Sequence, residues 1–329
     1  MTRDYLPYLT PFDIQSVNQT EVIQSLWSGY GELVRLHTTG NQIKSVIIKH
    51  VKLPDKLNHP RGWNHSLSHQ RKVASYHVEA FWYQHYGQTA DRRCLTPKSL
   101  RTYSTEGEWL IVMQDLSTLG FTEVVSQANQ QHLMTCLKWL ANFHAKHIGH
   151  SGEGLWPSGT YWHLQTRLDE LATLSDQRLK RSASQLDQRL TDAKYQTLVH
   201  GDAKLANFCF TPDGKKAAAI DFQYVGRGCA MKDVALFISS AVAPEHCAEQ
   251  EQPLLDCYFA CLGDALAYYQ PQLSPSEVEQ AWRPLFAIAW ADFQRFIKGW
   301  SPDHWKINPY TESLTRQALQ QLEAYQDDN

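Results

Sequence analysis

Three oxygen-bearing side chains near the middle of the chain are spaced for metal and proton chemistry. Asp202 and Asn207 lie five residues apart in Leu198-Val199-His200-Gly201-Asp202-Ala203-Lys204-Leu205-Ala206-Asn207. Asp221 follows an apolar run in Ala219-Ile220-Asp221-Phe222-Gln223. Phosphoryl transfer needs one carboxylate to orient and deprotonate a hydroxyl. It also needs an amide and a second carboxylate to hold Mg2+ on nucleotide phosphates. Hard oxygen donors suit Mg2+, which keeps waters and phosphates as further ligands. Lys204, two residues after Asp202, is placed to reach a transferred phosphate. His200 reads as a support for the loop backbone rather than as the base.

The Asp202/Asn207 spacing resembles the kinase catalytic loop His-Arg-Asp-x-x-x-x-Asn, and Asp221-Phe222 resembles the start of Asp-Phe-Gly. Gly201 before the Asp and Gln223 after Asp-Phe are instead similar to the kinase-like phosphotransferases that act on small molecules. These form the aminoglycoside phosphotransferase, choline kinase and ecdysteroid-kinase-like superfamily. The resemblance is detailed over residues 198–240 and coarse over most of the chain. It implies an α+β, bilobal protein-kinase-like fold. A small antiparallel-sheet lobe, residues 1–116, would bind nucleotide; a larger, mainly helical lobe, residues 117–329, would hold catalysis and substrate. ATP and Mg2+ are the implied cofactors. Asp202 and Lys204 would be catalytic, and Asn207 and Asp221 the metal ligands. Lys49, ending an apolar strand, would contact the α/β-phosphates and pair with Glu79 in the next helix. Gly29 and Gly31 lack the Cβ that would keep backbone N–H groups from phosphate. Gln114-Asp115-Leu116 would be the hinge, with backbone groups of Gln114 and Leu116 against the adenine.

The elements around these residues follow from periodicity. Strands are expected at 22–26, 32–37, 45–49, 98–103 and 109–114, with turns at Ser28–Gly31 and Thr38–Asn41 and a polar loop over 53–66. Apolar spacing predicts helices over 68–86, 126–147, 163–193, 231–242, 246–270, 275–299 and 311–326. Asp233 is expected to cap its helix or brace the catalytic loop.

The whole chain restricts the partners. A net charge of −3 over 329 residues gives no electrostatic case for nucleic acid or an anionic membrane. No apolar run is long enough to span a bilayer, and the N-terminus shows no signal-peptide pattern. Seven scattered cysteines without a Cys-x-x-Cys pair suggest reduced thiols and a cytoplasmic location, as a monomer or homodimer. The expected partner is a small-molecule hydroxyl acceptor. Trp290, Phe293, Trp300, Trp305 and Tyr310 around Asp292 would suit a choline-like or other amino alcohol by cation–π contact. A core helix burying the same aromatics is the competing reading. An aminoglycoside acceptor calls for more acidic residues in the last third than this chain supplies. A protein kinase is disfavoured by the missing Arg before Asp202 and the absent Ala-Pro-Glu segment. A catalytically silent pseudokinase would not need the full catalytic set.

Overall fold

The computed structural model describes residues 4–26, 29–40, 42–53, 65–88, 91–105 and 107–327. Alternation of apolar side chains builds its first half. Strands β1 (Ser16–Ser25), β2 (Gly31–Thr39), β3 (Ser45–Lys52), β4 (Ser99–Thr105) and β5 (Glu108–Gln114) form one antiparallel sheet in the order β1-β2-β3-β5-β4. Val34, Leu36, Val46, Ile48, Leu110 and Val112 share one face, covered by Tyr5, Leu9 and Ile14 around the short helix α1 (Leu6–Leu9). Side chains alternate across a strand, so Ile47 and Lys49 of β3 point to the opposite face. Helix α2 (His65–Phe81) packs on that face, with Tyr76 and Glu79 buried one turn apart.

The first strand starts at Ser16, six residues before the expected 22. Most of its residues are exposed and it sits at the sheet edge, so no buried alternation marks it. Ser28, Asn41 and residues 54–64, which belong to the expected turns and loop, lie outside the described residues.

The segment expected as the hinge is fastened by Asp115, to which sequence reasoning gave no separate role. Asp115 is buried; its carboxylate accepts from Arg35 Nε at 2.8 Å, Ser45 Oγ at 2.7 Å and the Ser117 N–H at 3.0 Å. It thereby caps the 3-10 turn Leu116–Leu119 and ties the hinge to β2 and β3. Burial opposes its charge, but the bonds from Ser45, Arg35 and Ser117 hold the carboxyl below its ordinary range.

The second half is helical around two small two-stranded sheets. Helix α3 (Gln130–His147) begins at a capping box, where the Asn129 side chain accepts the His132 N–H and His132 accepts the Asn129 N–H. Residues 163–193 are not the single expected helix. They divide into a 3-10 turn, α4 (Leu168–Thr173), α5 (Gln177–Arg181) and α6 (Ala183–Thr191). Leu174 is extended, and Asp176 starts a new helix by accepting the Leu179 N–H at 3.1 Å. Then come β6 (Thr197–Val199), β7 (Phe208–Phe210), β8 (Ala217–Ala219) and β9 (Gly226–Gly228), paired as β6-β9 and β7-β8. Helices α7 (Met231–Ala241), α8 (Pro244–Tyr269), α9 (Pro275–Trp282), α10 (Leu285–Trp300) and α11 (Pro309–Asp327) complete the lobe. The expected helix 275–299 is broken before α10 at Pro284, whose ring cannot continue a helical hydrogen-bond ladder.

A seam of rings joins the halves. Trp82 stacks on Phe222 at 4.6 Å and contacts Phe143 of the second half at 5.8 Å, and Phe143 stacks in turn on Trp139 at 5.0 Å. Helix α2 adds polar bolts: Arg71 Nη1 donates to the Thr166 carbonyl and Lys72 Nζ to Gln223 Oε1, each at 2.7 Å. No helix among the described residues is long and apolar enough to cross a membrane.

Candidate active site

The loop after β6 is held from below by Asp233, on the first turn of α7. Its fully buried carboxylate accepts the N–H groups of His200 and Gly201 and contacts His144 Nε2 at 3.1 Å. Asp233 thus braces the loop. Gly201 has φ +80°, and a Cβ there would lie 2.0 Å from the Tyr224 carbonyl oxygen. Only glycine fits before Asp202 in this geometry. His200 Nε2 donates to the Ile220 carbonyl at 2.9 Å, and its Nδ1 accepts the Asp202 N–H at 3.3 Å. Both ring nitrogens are therefore engaged in shaping the loop.

Asp202 is buried, and its two oxygens differ. Oδ2 accepts Lys204 Nζ at 2.8 Å and Asn207 Nδ2 at 3.0 Å. Oδ1 has no hydrogen-bond partner. Burial raises the Asp202 pKa above the ordinary carboxylate value, with the Lys204 charge opposing. Asn207 also gives Nδ2 to the Asp202 carbonyl at 2.8 Å, which leaves its own side-chain oxygen uncommitted. Asp221 is displayed by a left-handed backbone, φ +68°, a conformation costly outside glycine and characteristic of functional positions. Its Oδ1 accepts both Lys49 Nζ at 2.9 Å and Gln223 Nε2 at 2.8 Å, so Oδ2 is uncommitted.

Lys49 Nζ lies 2.7 Å from Glu79 Oε1, so strand and helix meet at one buried ammonium. Burial would lower the Lys49 pKa, but Asp221 and Glu79 outweigh it and hold it above its ordinary value. Burial pushes Glu79 up to about 7 against the pull of Lys49. Asp221 moves oppositely: burial disfavours its charge, while Lys49, Lys72 and Lys204 hold it below its ordinary range.

The expected residues therefore converge from four elements: Lys49 from β3, Glu79 from α2, Asp202, Lys204 and Asn207 from the loop after β6, and Asp221 after β8. The glycines stand differently. The Gly29 N–H closes a turn on the Leu26 carbonyl at 3.1 Å, so it is engaged within the hairpin. Gly31 is demanded by packing, since a Cβ there would meet the His50 carbonyl oxygen at 2.0 Å. Gln114 donates its N–H to the Lys98 carbonyl at 2.9 Å, and Leu116 begins the turn capped by Asp115. Sequence reasoning assigned no role to Gln223 or Lys72. The polar residue after Asp-Phe was the available signal for Gln223. Its partner on α2 was not readable, because 151 residues separate the two.

The late aromatic residues do not form one pocket. Trp290 is core, its Nε1 donating to Gln294 Oε1 at 2.7 Å. Asp292 is fully buried, paired with Arg295 at 2.8 Å and accepting from Trp162 Nε1 at 3.1 Å. Tyr310 donates to Glu251 at 2.7 Å, and Trp305 is largely exposed. Helical spacing sends these side chains in different directions, so Asp292 is not available to an acceptor.

Comparison with known proteins fits this geometry. The model of the ecdysteroid kinase-like family matches residues 37–148 and 159–270, more than half of the chain. The chain belongs to the ecdysteroid kinase-like family. As a member it is a kinase-like small-molecule phosphotransferase, with the bilobal α+β fold. Among solved structures, it is similar to the amicoumacin kinase hAmiN in complex with AMP-PNP, Ca2+ and Ami. The identity is 13% and the TM-score 0.51, over 98% of this chain and 94% of that one. A Plasmodium vivax ethanolamine kinase matches at 13% identity and TM-score 0.49, over 95% of this chain and 87% of that one. A microcompartment-associated aminopropanol kinase matches at 12% and 0.49, over 99% and 98%. At such identities the likeness speaks to fold alone. A search of the curated proteins found no match. Among the described residues of this ecdysteroid kinase-like chain, no three or more His, Cys, Asp and Glu side chains converge as a metal site.

Proposed function

We propose that the protein transfers the γ-phosphate of ATP, with Mg2+, to a hydroxyl of a small molecule. The observation that carries this reading is the free Oδ1 of buried Asp202, beside the uncommitted oxygens of Asn207 and Asp221. Two hard oxygens without a third protein carboxylate fit Mg2+, whose remaining ligands come from phosphate and water. Bound Mg2+ would offset phosphate charge. The chain's own residues do the rest by position and field. Lys49, held by Glu79 and Asp221, faces the phosphates. Asp202 Oδ1 accepts the acceptor's hydroxyl proton while Lys204 and Asn207 fix Oδ2. Lys204 then lies next to the arriving phosphoryl group. Residues 1–116 would form the nucleotide lobe and 117–329 the acceptor lobe. Adenine would lie against the backbone of Gln114 and Leu116, and Gly29 would reach phosphate only once its turn bond to Leu26 opens. The free cysteines suit a cytoplasmic enzyme.

The acceptor is a small hydroxyl compound with an apolar portion. A choline-like amino alcohol ranks above an aminoglycoside because the last third is poor in acidic residues, and Asp292, the carboxylate among the late aromatics, is consumed by Arg295. What borders Asp202 instead is aromatic: Tyr161 contacts Tyr224, Phe293 and Phe296 at centroid distances of 5.8, 6.1 and 5.6 Å. The test is ADP release from purified protein across amino alcohols, sugars, steroids and antibiotics, with and without Mg2+. Acceptor-dependent release that requires Mg2+ is expected. Nucleotide binding without any turnover would favour the pseudokinase instead.

The Lys49–Glu79 pair makes a separate prediction. Lys49→Ala should raise the KM for ATP and lower kcat, and Glu79→Ala should do the same to a smaller extent. The double variant should be little worse than Lys49→Ala, because residues acting through one contact are non-additive. Steady-state kinetics on the three variants decide it; fully additive losses would mean that the two act independently.

A further inference from the structure

Lys306 lies between α10 and α11 and is 7% exposed. Its Nζ has one polar partner, Ser239 Oγ at 3.3 Å, and Ser239 gives its own proton to the Leu236 carbonyl. No carboxylate of the described residues lies within ion-pair distance of it. Of the other buried cations, Lys49, Arg167 and Arg295 pair with carboxylates at 2.7, 2.9 and 2.8 Å, and Lys232 bonds the Ser158 hydroxyl at 3.2 Å. A buried ammonium without a counter-charge is costly, and proteins seldom keep one without use. Burial pushes Lys306 down to about 7, with Asp202 countering and Lys204 adding to the fall. Asp202 and Lys204 are thus among the charges that act on it.

The same side chain touches the aromatic wall. Nζ is 5.3 Å from the Phe293 ring centroid and 5.4 Å from that of Trp305. Phe293 contacts Tyr161, whose hydroxyl in turn feels the charge of Asp202. Ring contacts thus lead from the ammonium through Phe293 to Tyr161, whose N–H donates to the carbonyl of Gly201, next to Asp202, at 3.3 Å.

We propose that Lys306 selects the acceptor by donating hydrogen bonds to a carbonyl or carboxylate oxygen of the molecule whose hydroxyl rests on Asp202. This rests on the phosphotransferase reading above. The acceptor oxygen would supply the partner that the fold withholds from Lys306. A quaternary ammonium at the same place would be repelled, which separates this acceptor class from choline-like compounds.

The test uses four hydroxyalkyl-aryl probes of one skeleton that end in carboxylate, methyl ketone, methyl or trimethylammonium. ADP release with ATP and Mg2+ is measured for the wild type, Lys306→Met and Lys306→Arg. In the wild type, kcat/KM for the carboxylate and ketone probes should exceed that for the methyl probe by roughly ten-fold, the scale of one hydrogen bond to a charged donor. Trimethylammonium should rank last. Lys306→Met should compress these ratios toward one, chiefly through KM, while Lys306→Arg restores the carboxylate preference. The carboxylate and ketone arms separate the two sources of the oxygen. A wild type showing no preference for either oxygen-bearing probe, or an unchanged ranking in folded Lys306→Met, would overturn the proposal. Mg2+-dependent binding of AMP-PNP, followed by thermal shift on the same samples, reports on the phosphotransferase reading independently. Its loss in the wild type would sink that reading rather than the assignment of Lys306.

Discussion

Replacing Asp221 by Ala is expected to abolish turnover and Mg2+-dependent nucleotide binding while leaving the protein folded. Three lysines hold this carboxylate ionised, and one of its oxygens is already committed to Lys49 and Gln223. The other is a hard donor for which no neighbouring carboxylate can substitute. Lys49 keeps Glu79 as a partner in the variant, so no bare buried ammonium is created. Alanine would bear the left-handed cost of about 1–2 kcal/mol that the aspartate already bears, so the substitution adds little backbone strain. Calorimetric titration of AMP-PNP with and without Mg2+, alongside thermal unfolding, measures both parts. Undiminished turnover would remove Asp221 from the site.

Asp202→Asn should lower kcat by roughly 10²-fold or more while the KM for ATP changes little. The affected atom is the unpartnered Oδ1, which in the proposed reaction takes the acceptor's proton while other residues would hold the nucleotide. The pH profile offers a second reading. Burial raises the Asp202 pKa, so the base becomes protonated at a higher pH than an ordinary carboxyl. Activity of the wild type should therefore fall as pH drops through that raised value and be retained above it. The residual activity of Asp202→Asn should lack this acidic limb. If the substitution altered only the KM for ATP, Asp202 would belong to the nucleotide side.

The chemistry was more legible in the sequence than its supports. Asp202, Asn207 and Asp221 are local to one short stretch, and spacing within a loop and a hairpin survives folding. The strands from β2 to β5 were legible because one face of each is buried. β1 was not fully legible, because an exposed edge strand needs no alternation. The breaks at Asp176 and Pro284 were written in capping and ring chemistry, which a count of apolar spacing passes over. Asp115 with Arg35, and Gln223 with Lys72, join residues 80 and 151 positions apart. No local pattern announces such partners. The late aromatics left pocket and core both open, because composition says nothing of burial: the fold seals Trp290 and Asp292 in the core.

The bolts between α2 and the large lobe have a consequence for turnover. Lys49 rests on Asp221, Lys72 on Gln223 and Arg71 on the Thr166 carbonyl. In each case a cation on the sheet side already grips an oxygen across the cleft, as it would grip a phosphate. Under the proposed function an incoming nucleotide would exchange one set of oxygens for another instead of ordering loose side chains. If the proposed reaction holds, letting go of spent nucleotide would mean parting these contacts one after another, and the pace of the enzyme would be set partly by bonds that never touch the reacting atoms.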